Sequence, residues 1–524
     1  MTSCLSMPDY KTALWRASEP PAPRPQLPGD LTVDVAVVGA GITGVTAAYL
    51  LKQAGLRVAV LEARRVGSGE TTRTTAHLTE VLDLRFRRLR ARFGADGAKL
   101  ALEGHRAAIE RIEALARASK VDCDFTRVPG YLVAETPKEV EELEEEASAA
   151  RELGLSPALV ERAPLPLKVL RALALEGQAQ FHPRTYLDAL ADQVDGGGSQ
   201  IFEVTSVKDI EDGSPCRVTT DRGVVKERAV IVASGVPVLN QVFIHLKLAA
   251  YRSYVVAAKL PAALPPGLVW DMKDPYHYVR GQVVDGVPYA IIGGEDHKVG
   301  TEDDTTEPFA RLEAYAAERL DIEVGATDYR WAGQIIESAD GLPYVGRNSL
   351  SKHLFVASGY AGNGITGGTW AAMVLADEVR GVESRWSKLL DATRLKPLAA
   401  AGAVASENLD FPKHLIADRL LPLGRPGDLH GVAPGEGAVL SVKGEKLAVY
   451  RNAEGQLSAL SPICPHLGCF VHWNNAEKSW DCPCHGSRFD PHGRVLNGPA
   501  VEPLQDRAVP AGEGTEPPPP DKAA

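Results

Sequence analysis

The chain begins with an alternation of short apolar runs and one helical segment. Leu31–Val38 is rich in β-branched residues and predicts a buried strand. Thr43–Gly55 has a helical composition and ends on a glycine, and Arg57–Leu61 predicts a second buried strand. This β-α-β order predicts a parallel sheet as the scaffold of the first part of the chain.

The pattern changes in the middle of the chain. Residues 80–195 are predicted to be largely helical, with the acidic run Glu139–Glu146 on a solvated helix face. From about 200 to 300, short strand patterns punctuated by Gly and Pro predominate. Leu354–Ala357 predicts another buried strand and Trp370–Val379 a helix. We therefore expect an α/β unit with an interleaved α+β region.

The pattern weakens again toward the C-terminus. Residues 382–430 are rich in Pro, Ala and isolated charges and are interpreted as a linker, with a short helix around Lys413–Leu421. Short strands and turns around a group of cysteines then predict a small all-β module. The predicted division is an N-terminal lead over 1–30, a large unit over 31–381, the linker over 382–430, the all-β module over 431–511 and a disordered tail over 512–524.

Composition narrows the protein class. Of 524 residues, 44% are hydrophobic and 24% charged, which is typical of globular proteins. The net charge of -11 disfavours a nucleic-acid or anionic-membrane binder. With no apolar stretch typical of a signal or membrane span, we expect a cytoplasmic protein.

Seven cysteines are too few for a disulfide scaffold of this size, and their spacing separates them into two groups. Cys4, Cys123 and Cys216 have no partner in motif spacing and are interpreted as ordinary thiols. The other four lie within residues 464–484 and indicate a chemical site near the C-terminus.

Val37–Gly44 carries the pattern Gly-x-Gly-x-x-Gly between the predicted strand and helix. Gly39 permits a tight turn, Gly41 lets the backbone approach a pyrophosphate, and Gly44 lets the helix pack close to the sheet. Glu62, at the end of the next strand, would accept hydrogen bonds from ribose hydroxyls, which favours an unphosphorylated 2′-OH. The pattern predicts a dinucleotide site and by itself leaves NAD and FAD open.

Three further segments resemble the D-amino-acid oxidase and glycine oxidase family. Gly67–His77 is similar to the family's second flavin-contacting loop, Ala357–Gly368 to its last flavin motif, and Asp340–Gly346 fits the same family. The resemblance spans about residues 33–380 and implies FAD, bound by a Rossmann-type α/β domain with an interleaved α+β substrate domain. The implied cofactor-binding residues are Gly39, Ala40, Gly41, Ile42, Thr43, Gly44, Glu62, Ala63, Arg64, Ser68, Thr72, Arg73, Thr74, Thr75, Ala76, Val204, Ser234, Gly235, Gly359, Gly362, Asn363, Gly364, Ile365 and Thr366.

The C-terminal cysteines alternate with histidines on two Gly- and Pro-containing segments, 464–469 and 482–487. Two Cys and two His can present four ligands to one site. A Rieske [2Fe–2S] centre uses this mixture, with two thiolates on one iron and two imidazoles on the other. Tetrahedral zinc is the alternative, although structural zinc sites usually begin with Cys-x₂₋₄-Cys.

Residues 430–510 resemble the Rieske domain. The iron ligands that the resemblance implies are Cys464 and Cys482 on one iron and His466 and His485 on the other. It also implies a disulfide between Cys469 and Cys484, as in Rieske proteins of the cytochrome bc type, and a covering loop at Gly498–Ala500.

One position departs from the high-potential Rieske pattern. Ser487 matches a serine that hydrogen-bonds a bridging sulfide, but Phe489 stands where those proteins carry a tyrosine that bonds a cysteine sulfur. Loss of a donor to sulfur disfavours reduction because the added negative charge is less stabilised. We therefore expect a lower potential than that of a respiratory Rieske cluster.

The two cofactors together suggest an oxidoreductase. We expect FAD to oxidise a small molecule at a C–H bond next to nitrogen, as in the resembled family, and electrons to pass singly through the Rieske centre to a protein or small-molecule acceptor. Two alternatives stay open. One is an electron-transfer flavoprotein that relays electrons from NADH or a reductase without an organic substrate, and the other is a redox sensor.

The substrate pocket is less well indicated. Its polar candidates in the strand-rich middle are Tyr251, Arg252, Tyr254, Tyr276, His277, Tyr278 and Arg280. The catalytic candidates are His77, Tyr254, Tyr278 and Arg280. Ile335 stands where several amino-acid oxidases carry an Arg that clamps the substrate carboxylate, and an aliphatic chain cannot replace that bidentate contact. The absence of this Arg argues against an α-amino acid as the substrate. An amine without an adjacent carboxylate remains an open alternative.

Overall fold

The computed structural model describes residues 13–16, 21–238, 244–322, 327–394 and 429–509. The predicted helix at 413–421, the predicted tail and most of the predicted linker lie outside the described residues. Within the described ranges the chain forms a large unit with mixed sheets and a small antiparallel all-β unit, which confirms the expected fold class.

The large unit contains seven helices and nineteen strands within its described residues. In chain order they are β1 Leu31–Thr32, β2 Val35–Val38, α1 Ile42–Gln53, β3 Val58–Leu61, β4 His77–Leu78, α2 Arg85–Ser119, β5 Thr126–Ala134, α3 Pro137–Glu152, β6 Ala158–Val160, β7 Arg171–Gln180, α4 Pro183–Val194, β8 Gln200–Phe202, β9 Val207–Glu211, β10 Cys216–Thr220, β11 Gly223–Glu227, β12 Ala229–Val232, β13 Leu248–Lys259, β14 Leu268–Trp270, β15 Tyr278–Val284, β16 Val287–Lys298, α5 Glu307–Leu320, β17 Tyr329–Ser338, β18 Tyr344–Arg347, β19 Leu354–Ser358, α6 Gly364–Val379 and α7 Ser387–Leu390.

The nucleotide-binding sheet has six strands in the order β18-β19-β12-β2-β3-β8. All pairings are parallel except β18 with β19. Every residue of β2, β3 and β12 is buried, because helices cover one face and the small sheet β1-β11-β10-β9 covers the other. The predicted parallel scaffold is confirmed.

The predicted strand Leu31–Val38 is two strands that belong to different sheets. β1 pairs with β11 in the small sheet, whereas β2 lies between β12 and β3. The chain changes layer at Asp34, whose carboxylate accepts a hydrogen bond from the backbone N–H of Arg57 at 2.9 Å. Apolar β-branched residues suit both layers, so the sequence pattern does not show this break.

The substrate sheet has nine strands, eight of them in the order β17-β13-β16-β15-β14-β5-β7-β4, with β6 paired to β7. The prediction that residues 80–195 are largely helical is wrong for β5 and β7, which pair antiparallel over most of their length. β7 reads Arg-Ala-Leu-Ala-Leu-Glu-Gly-Gln-Ala-Gln, which favours helix locally. Pairing with β5, β6 and β4 overrides that preference.

The acidic run 139–146 lies on α3, where its carboxylates are solvated except for that of Glu146. Glu146 is buried and accepts hydrogen bonds from the backbone N–H groups of Phe86 and Arg87, at 2.8 and 3.2 Å. The carboxylate therefore pairs with backbone N–H groups in the first turn of α2, which have no partner within the helix.

The described start of the predicted linker, residues 382–394, is folded against the large unit. Trp386 is buried, and Arg394 pairs with the buried carboxylate of Asp340 through two hydrogen bonds of 2.8 Å. The rest of the interpreted linker up to residue 428 lies outside the described residues.

The small unit is built from two four-stranded antiparallel sheets, β20-β21-β22-β27 and β23-β24-β25-β26. Its strands are β20 Gly437–Val442, β21 Glu445–Arg451, β22 Leu457–Leu460, β23 His472–Asn474, β24 Ser479–Asp481, β25 Arg488–Phe489, β26 Val495–Asn497 and β27 Asp506–Arg507. The two cysteine-containing loops fall between β22 and β23 and between β24 and β25. They are therefore held at one edge of a rigid core that contains Trp480 and Phe489.

A buried charge network joins the two units. The carboxylate of Glu477, in the small unit, pairs with Arg252 and Arg73 of the large unit and with Arg488 of its own unit. Burial alone would raise the pKa of Glu477, but the three guanidinium groups lower it to about 2. Polar contacts between Thr305 and Asn475 add a second link at 2.7 Å. Arg252, a sequence candidate for the substrate pocket, is thus a contact between the units.

Candidate cofactor and substrate site

The glycine-rich turn after β2 forms one wall of a cavity of about 370 Å³ at the carboxyl ends of the parallel strands. A Cβ on Gly39 would lie 2.8 Å from the carbonyl oxygen of Ala233, and one on Gly44 would lie 2.0 Å from that of Gly39. α1 begins directly after Gly41, and Gly41, Ile42 and Thr43 at its N-terminus line this cavity. The turn therefore has the close approach and the dipole that a pyrophosphate needs.

Glu62 lines the same cavity. Its carboxylate accepts hydrogen bonds from the backbone N–H groups of Ala40 at 2.8 Å and Arg64 at 2.9 Å. Burial raises the pKa of Glu62, and these two bonds oppose the shift. The residue thus holds the turn in shape at the position where a ribose hydroxyl is expected.

The predicted cofactor residues divide into those at the cavity wall and those behind it. Lining the cavity are Gly39, Ala40, Gly41, Ile42, Thr43, Glu62, Ala63, Arg64, Thr74, Ser234, Gly235, Gly364 and Ile365. Absent from the wall are Gly44, Ser68, Thr72, Arg73, Thr75, Ala76, Val204, Gly359, Gly362, Asn363 and Thr366. Several of the second group support the loops. Thr72, for example, donates to the carbonyl oxygen of Gly67 at 2.6 Å.

Sequence reasoning missed several wall residues. Thr71 lines the cavity and its hydroxyl accepts a hydrogen bond from the N–H of Ile42, at the start of α1, at 3.0 Å. Gln334 and Ile336 of β17 and Tyr360 also line it. The small unit supplies a further part of the wall, consisting of Val495, Leu496, Asn497, Gly498, Ala500 and Val501. Thr71 and Tyr360 lie inside the two predicted flavin segments, whereas the packing of the two units brings residues 495–501 to the site.

The two cysteine loops of the small unit bring the four predicted cluster ligands together. Cys464 and Cys482 are buried, free thiols, and hydrogen bonding with Cys482 lowers the pKa of Cys464. The rings of His466 and His485 have centroids 5.0 Å apart. Two adjacent sulfurs and two adjacent imidazoles fit a [2Fe–2S] cluster of the Rieske type.

The electrostatics of the loops suit metal ligation. Burial lowers the pKa of His466 to about 4 and that of His485 to about 3, so both imidazoles are neutral and can donate a lone pair. His245 of the large unit packs edge-on to both rings, with centroids 4.8 Å from His466 and 5.8 Å from His485. The large unit therefore covers the histidine side of the cluster site.

The structure confirms the expected disulfide and adds one contact of Ser487. Cys469 and Cys484 form a disulfide that links the two ligand loops. The hydroxyl of Ser487 accepts a hydrogen bond from the N–H of Ala500 at 3.1 Å, which ties the ligand loop to the covering segment. Phe489 is fully buried in the core of the unit.

A larger cavity of about 1060 Å³ lies between the flavin motif and the cluster loops. Tyr360 and Ala361 line both this cavity and the 370 Å³ cavity beside the glycine-rich turn, hereafter the FAD cavity. Asn363 lines the larger cavity only. Cys484 and His485 of the small unit form part of its wall. This cavity therefore lies between the two candidate cofactor sites.

The wall of this larger cavity carries both acidic and basic side chains, and three of its carboxylates, those of Asp83, Asp296 and Glu337, interact with one another. Asp296 has a buried Oδ1 without a hydrogen-bond partner among the described residues. Burial, together with the charges of Asp83 and Glu337, raises the pKa of Asp296 to about 7. Two of the sequence candidates, Tyr251 and Tyr276, lie in the same wall. Ile335 lines neither cavity.

The four catalytic candidates line neither cavity and are held in the protein interior. His77 bonds Thr75 at 2.9 Å, and burial lowers its pKa well below the usual range. The hydroxyls of Tyr254 and Tyr278 bond His297 at 2.9 Å and Ser253 at 2.8 Å, respectively.

Arg280, the fourth candidate, donates to the carbonyl oxygen of Ala76 at 3.0 Å and lies over the ring of Trp15. The remaining pocket candidate, His277, is buried between Asp271 and Glu295. Side-chain packing on the inner face of the substrate sheet, which a sequence pattern cannot resolve, places these residues away from the pocket.

In the described part of the chain, every helix is too short or too polar to pass through a membrane.

Comparisons with known proteins agree with this geometry. Residues 34–378 match the family described as FAD dependent oxidoreductase, and residues 422–508 match the Rieske [2Fe-2S] domain. The Rieske 2Fe-2S iron-sulfur protein YhfW of Bacillus subtilis (strain 168) is 33% identical over 495 residues, which cover 94% of this chain and 96% of that protein.

Two further relatives match the large unit. Gamma-glutamylputrescine oxidoreductase of Escherichia coli (strain K12) is 26% identical over 70% of this chain and 88% of that protein. The crystal structure of glycine oxidase from Geobacillus kaustophilus superposes with a TM-score of 0.60 at 23% identity, over 70% of this chain and all of that one. The chain therefore belongs to the FAD dependent oxidoreductase family and carries a C-terminal Rieske [2Fe-2S] domain.

Proposed function

We propose that this protein binds an amine in its ammonium form in the 1060 Å³ cavity, hereafter the substrate cavity, and oxidises it after the ammonium group has lost a proton to solvent. The two electrons removed pass to an external acceptor. One observation carries the proposal. The substrate cavity is lined both by the flavin motif, at Tyr360–Asn363, and by the cluster loop, at Cys484 and His485. When bound, FAD supplies the two-electron oxidation of a C–H bond next to nitrogen, and the [2Fe–2S] cluster supplies one-electron transfer to the acceptor.

The carboxylates of the substrate cavity favour an ammonium group as the part of the substrate that is recognised. The unpartnered Oδ1 of Asp296 can accept a hydrogen bond from a bound cation. A cation would also relieve the repulsion among Asp296, Asp83 and Glu337. The name of the Escherichia coli relative, gamma-glutamylputrescine oxidoreductase, is consistent with an amine-containing substrate.

An α-carboxylate on the substrate would lack its usual Arg partner at the flavin end of the cavity. The position of the expected Arg clamp is Ile335, which is outside the substrate cavity wall. Basic side chains do line other parts of the cavity, among them Arg85, Arg88 and Lys298. An acidic group distant from the oxidised nitrogen is therefore compatible with the cavity, whereas a bidentate clamp on an adjacent carboxylate lacks its usual residue.

An anaerobic stopped-flow screen of the purified holoprotein tests the proposal. We expect amines to bleach the flavin absorption and Asp296→Asn to raise the amine concentration for half-maximal bleaching at least tenfold. Asp209→Asn, which alters an exposed Asp on β9, is the matched control and should leave it unchanged. Bleaching by NADH or a protein reductase alone would instead support an electron relay and overturn the proposal.

A further inference from the structure

A second group of metal-ligating side chains lies outside both cavities, on the small sheet of the large unit. Asp212 follows β9, Cys216 begins β10, and His353 directly precedes β19. Neither the FAD cavity nor the substrate cavity includes any of the three. The sequence spacing, with 136 residues between Cys216 and His353 (353 − 216 − 1), gives no motif.

The three donor atoms are already spaced as the ligands of one ion. Oδ1 of Asp212 lies 3.2 Å from Nδ1 of His353 and 3.9 Å from Sγ of Cys216. All three atoms lie within 4.8 Å of one another. With metal–ligand bonds of about 2.0–2.3 Å, tetrahedral zinc separates its ligand atoms by about 3.3–3.6 Å. Small side-chain shifts would therefore complete the geometry.

Backbone contacts hold the Asp212 ligand in position. Its Oδ2 accepts a hydrogen bond from the N–H of Lys352 at 2.6 Å, and its Oδ1 accepts one from the N–H of His353 at 3.1 Å. The carboxylate thus bridges the β9–β10 turn and the loop before β19. Such outer hydrogen bonds orient ligands in metal sites.

An independent observation beside the group also points to a cation ligand. Glu227 is 1% exposed, and neither of its carboxylate oxygens has a hydrogen-bond partner among the described residues. It pairs directly with Cys216 across the β10–β11 ladder, so both side chains lie on the same face of the sheet. A buried carboxyl group without a partner is costly unless a ligand satisfies it.

We infer that Asp212, Cys216 and His353 bind a divalent transition-metal ion, with zinc as the best match, beside the buried carboxyl group of Glu227. Mixed sulfur, nitrogen and oxygen donors suit zinc. The Cys216 thiol loses its proton to solvent when the ion binds, and no electron is transferred. The site would tie the small sheet to the loop before β19, distant from the flavin chemistry.

Zinc binding by the FAD- and cluster-loaded protein tests this inference. After equilibration with zinc and removal of the excess, elemental analysis should find about one zinc per chain beside the two irons of the cluster. Zinc K-edge absorption should show one sulfur neighbour at about 2.3 Å with nitrogen and oxygen neighbours. His353→Ala and Cys216→Ser should each weaken zinc binding at least tenfold.

Cys123→Ser is the matched control, because Cys123 is the other buried thiol outside the cluster loops within the described residues. It should retain zinc as the unaltered protein does. Because His353 is partly exposed, His353→Ala is expected to fold. It therefore tests zinc binding even where Cys216→Ser fails to fold. Retention of no zinc, equal retention by His353→Ala, or a zinc shell with two sulfurs, as expected for zinc in the cluster loops, would each overturn the inference.

Discussion

Nε2 of Gln334 donates a hydrogen bond of 2.9 Å to the carbonyl oxygen of Gly486, and this bond connects the wall of the FAD cavity to the loop that carries His485. Gly486 has a φ of +76° and packs so closely that a Cβ would lie 2.1 Å from Nε2 of Gln334 and 2.5 Å from the Cβ of Ala250. The Rieske domain is therefore seated on the flavin unit at the cluster itself.

We expect Gly486→Ala to destabilise this seating. The added Cβ meets Gln334 and Ala250 and forces a positive φ on an alanine, which costs on the order of 1–3 kcal/mol. The melting temperature should fall, and electron transfer from reduced flavin to the cluster should slow in stopped-flow measurements.

Gly455→Ala is the control for backbone strain alone. Gly455 has a φ of +85° with no atom near its would-be Cβ. If both variants slow electron transfer equally, the contact at Gly486 does not position the cluster.

The Glu477 charge network predicts a large loss of stability in Glu477→Gln. Removal of the carboxylate leaves the buried guanidinium groups of Arg252 and Arg488 without their shared partner, which costs on the order of 3–5 kcal/mol. Glu502→Gln, which breaks an exposed pair with Lys208 between the same two units, should cost about 0–1 kcal/mol. Chemical denaturation of the two variants measures both, and similar losses would contradict a special role for Glu477.

The same carboxylate predicts a pH dependence of stability. The folded-state pKa of Glu477 is about 2, below its ordinary value of 4.5, so its contribution is fully present above pH 4.5. It is lost as the pH falls from about 4.5 toward 2. The unfolding free energy should therefore decline over this range, and Glu477→Gln should show a shallower decline.

Phe489 gives a prediction for the cluster potential. Phe489→Tyr should raise the midpoint potential in an EPR-monitored redox titration, because a tyrosine hydroxyl can donate a hydrogen bond to a ligand sulfur. Ser487→Ala removes a hydroxyl that hydrogen-bonds the Cys464 sulfur and should lower it. An unchanged or lowered potential in Phe489→Tyr would contradict the reasoning from hydrogen bonds to sulfur.

The proposed role of Asp296 predicts how amine binding responds to pH. Because the pKa of Asp296 is about 7, its carboxylate is charged above that pH and neutral below it. The dissociation constant for a cationic amine should fall as the pH rises through about 7, as long as the amine keeps its proton. Asp296→Asn should bind the amine weakly and with little pH dependence in anaerobic titrations of the flavin spectrum.

The FAD-binding turn and the cluster loops could be predicted from the sequence, because the residues of each lie close together in the chain. Gly39, Gly41 and Gly44 lie within one turn, and the four cluster ligands lie within two short loops. The resemblance to the Rieske domain implied the disulfide partners Cys469 and Cys484, which the structure joins. The substrate-pocket candidates were predicted from polar residues on strands. This pattern cannot predict which of them line a cavity, because that depends on how the strands pack.

The sequence by itself therefore determined the cofactor types, the two units and the parallel scaffold, since these depend on residues close together in the chain. Only the tertiary structure decided that β5 and β7 are strands, that Glu146 serves α2, and that the catalytic candidates lie away from the pocket. It alone also joined residues 495–501 to the FAD cavity and His485 to the substrate cavity. These relationships depend on contacts between segments hundreds of residues apart, and the energy of such contacts is absent from any local pattern.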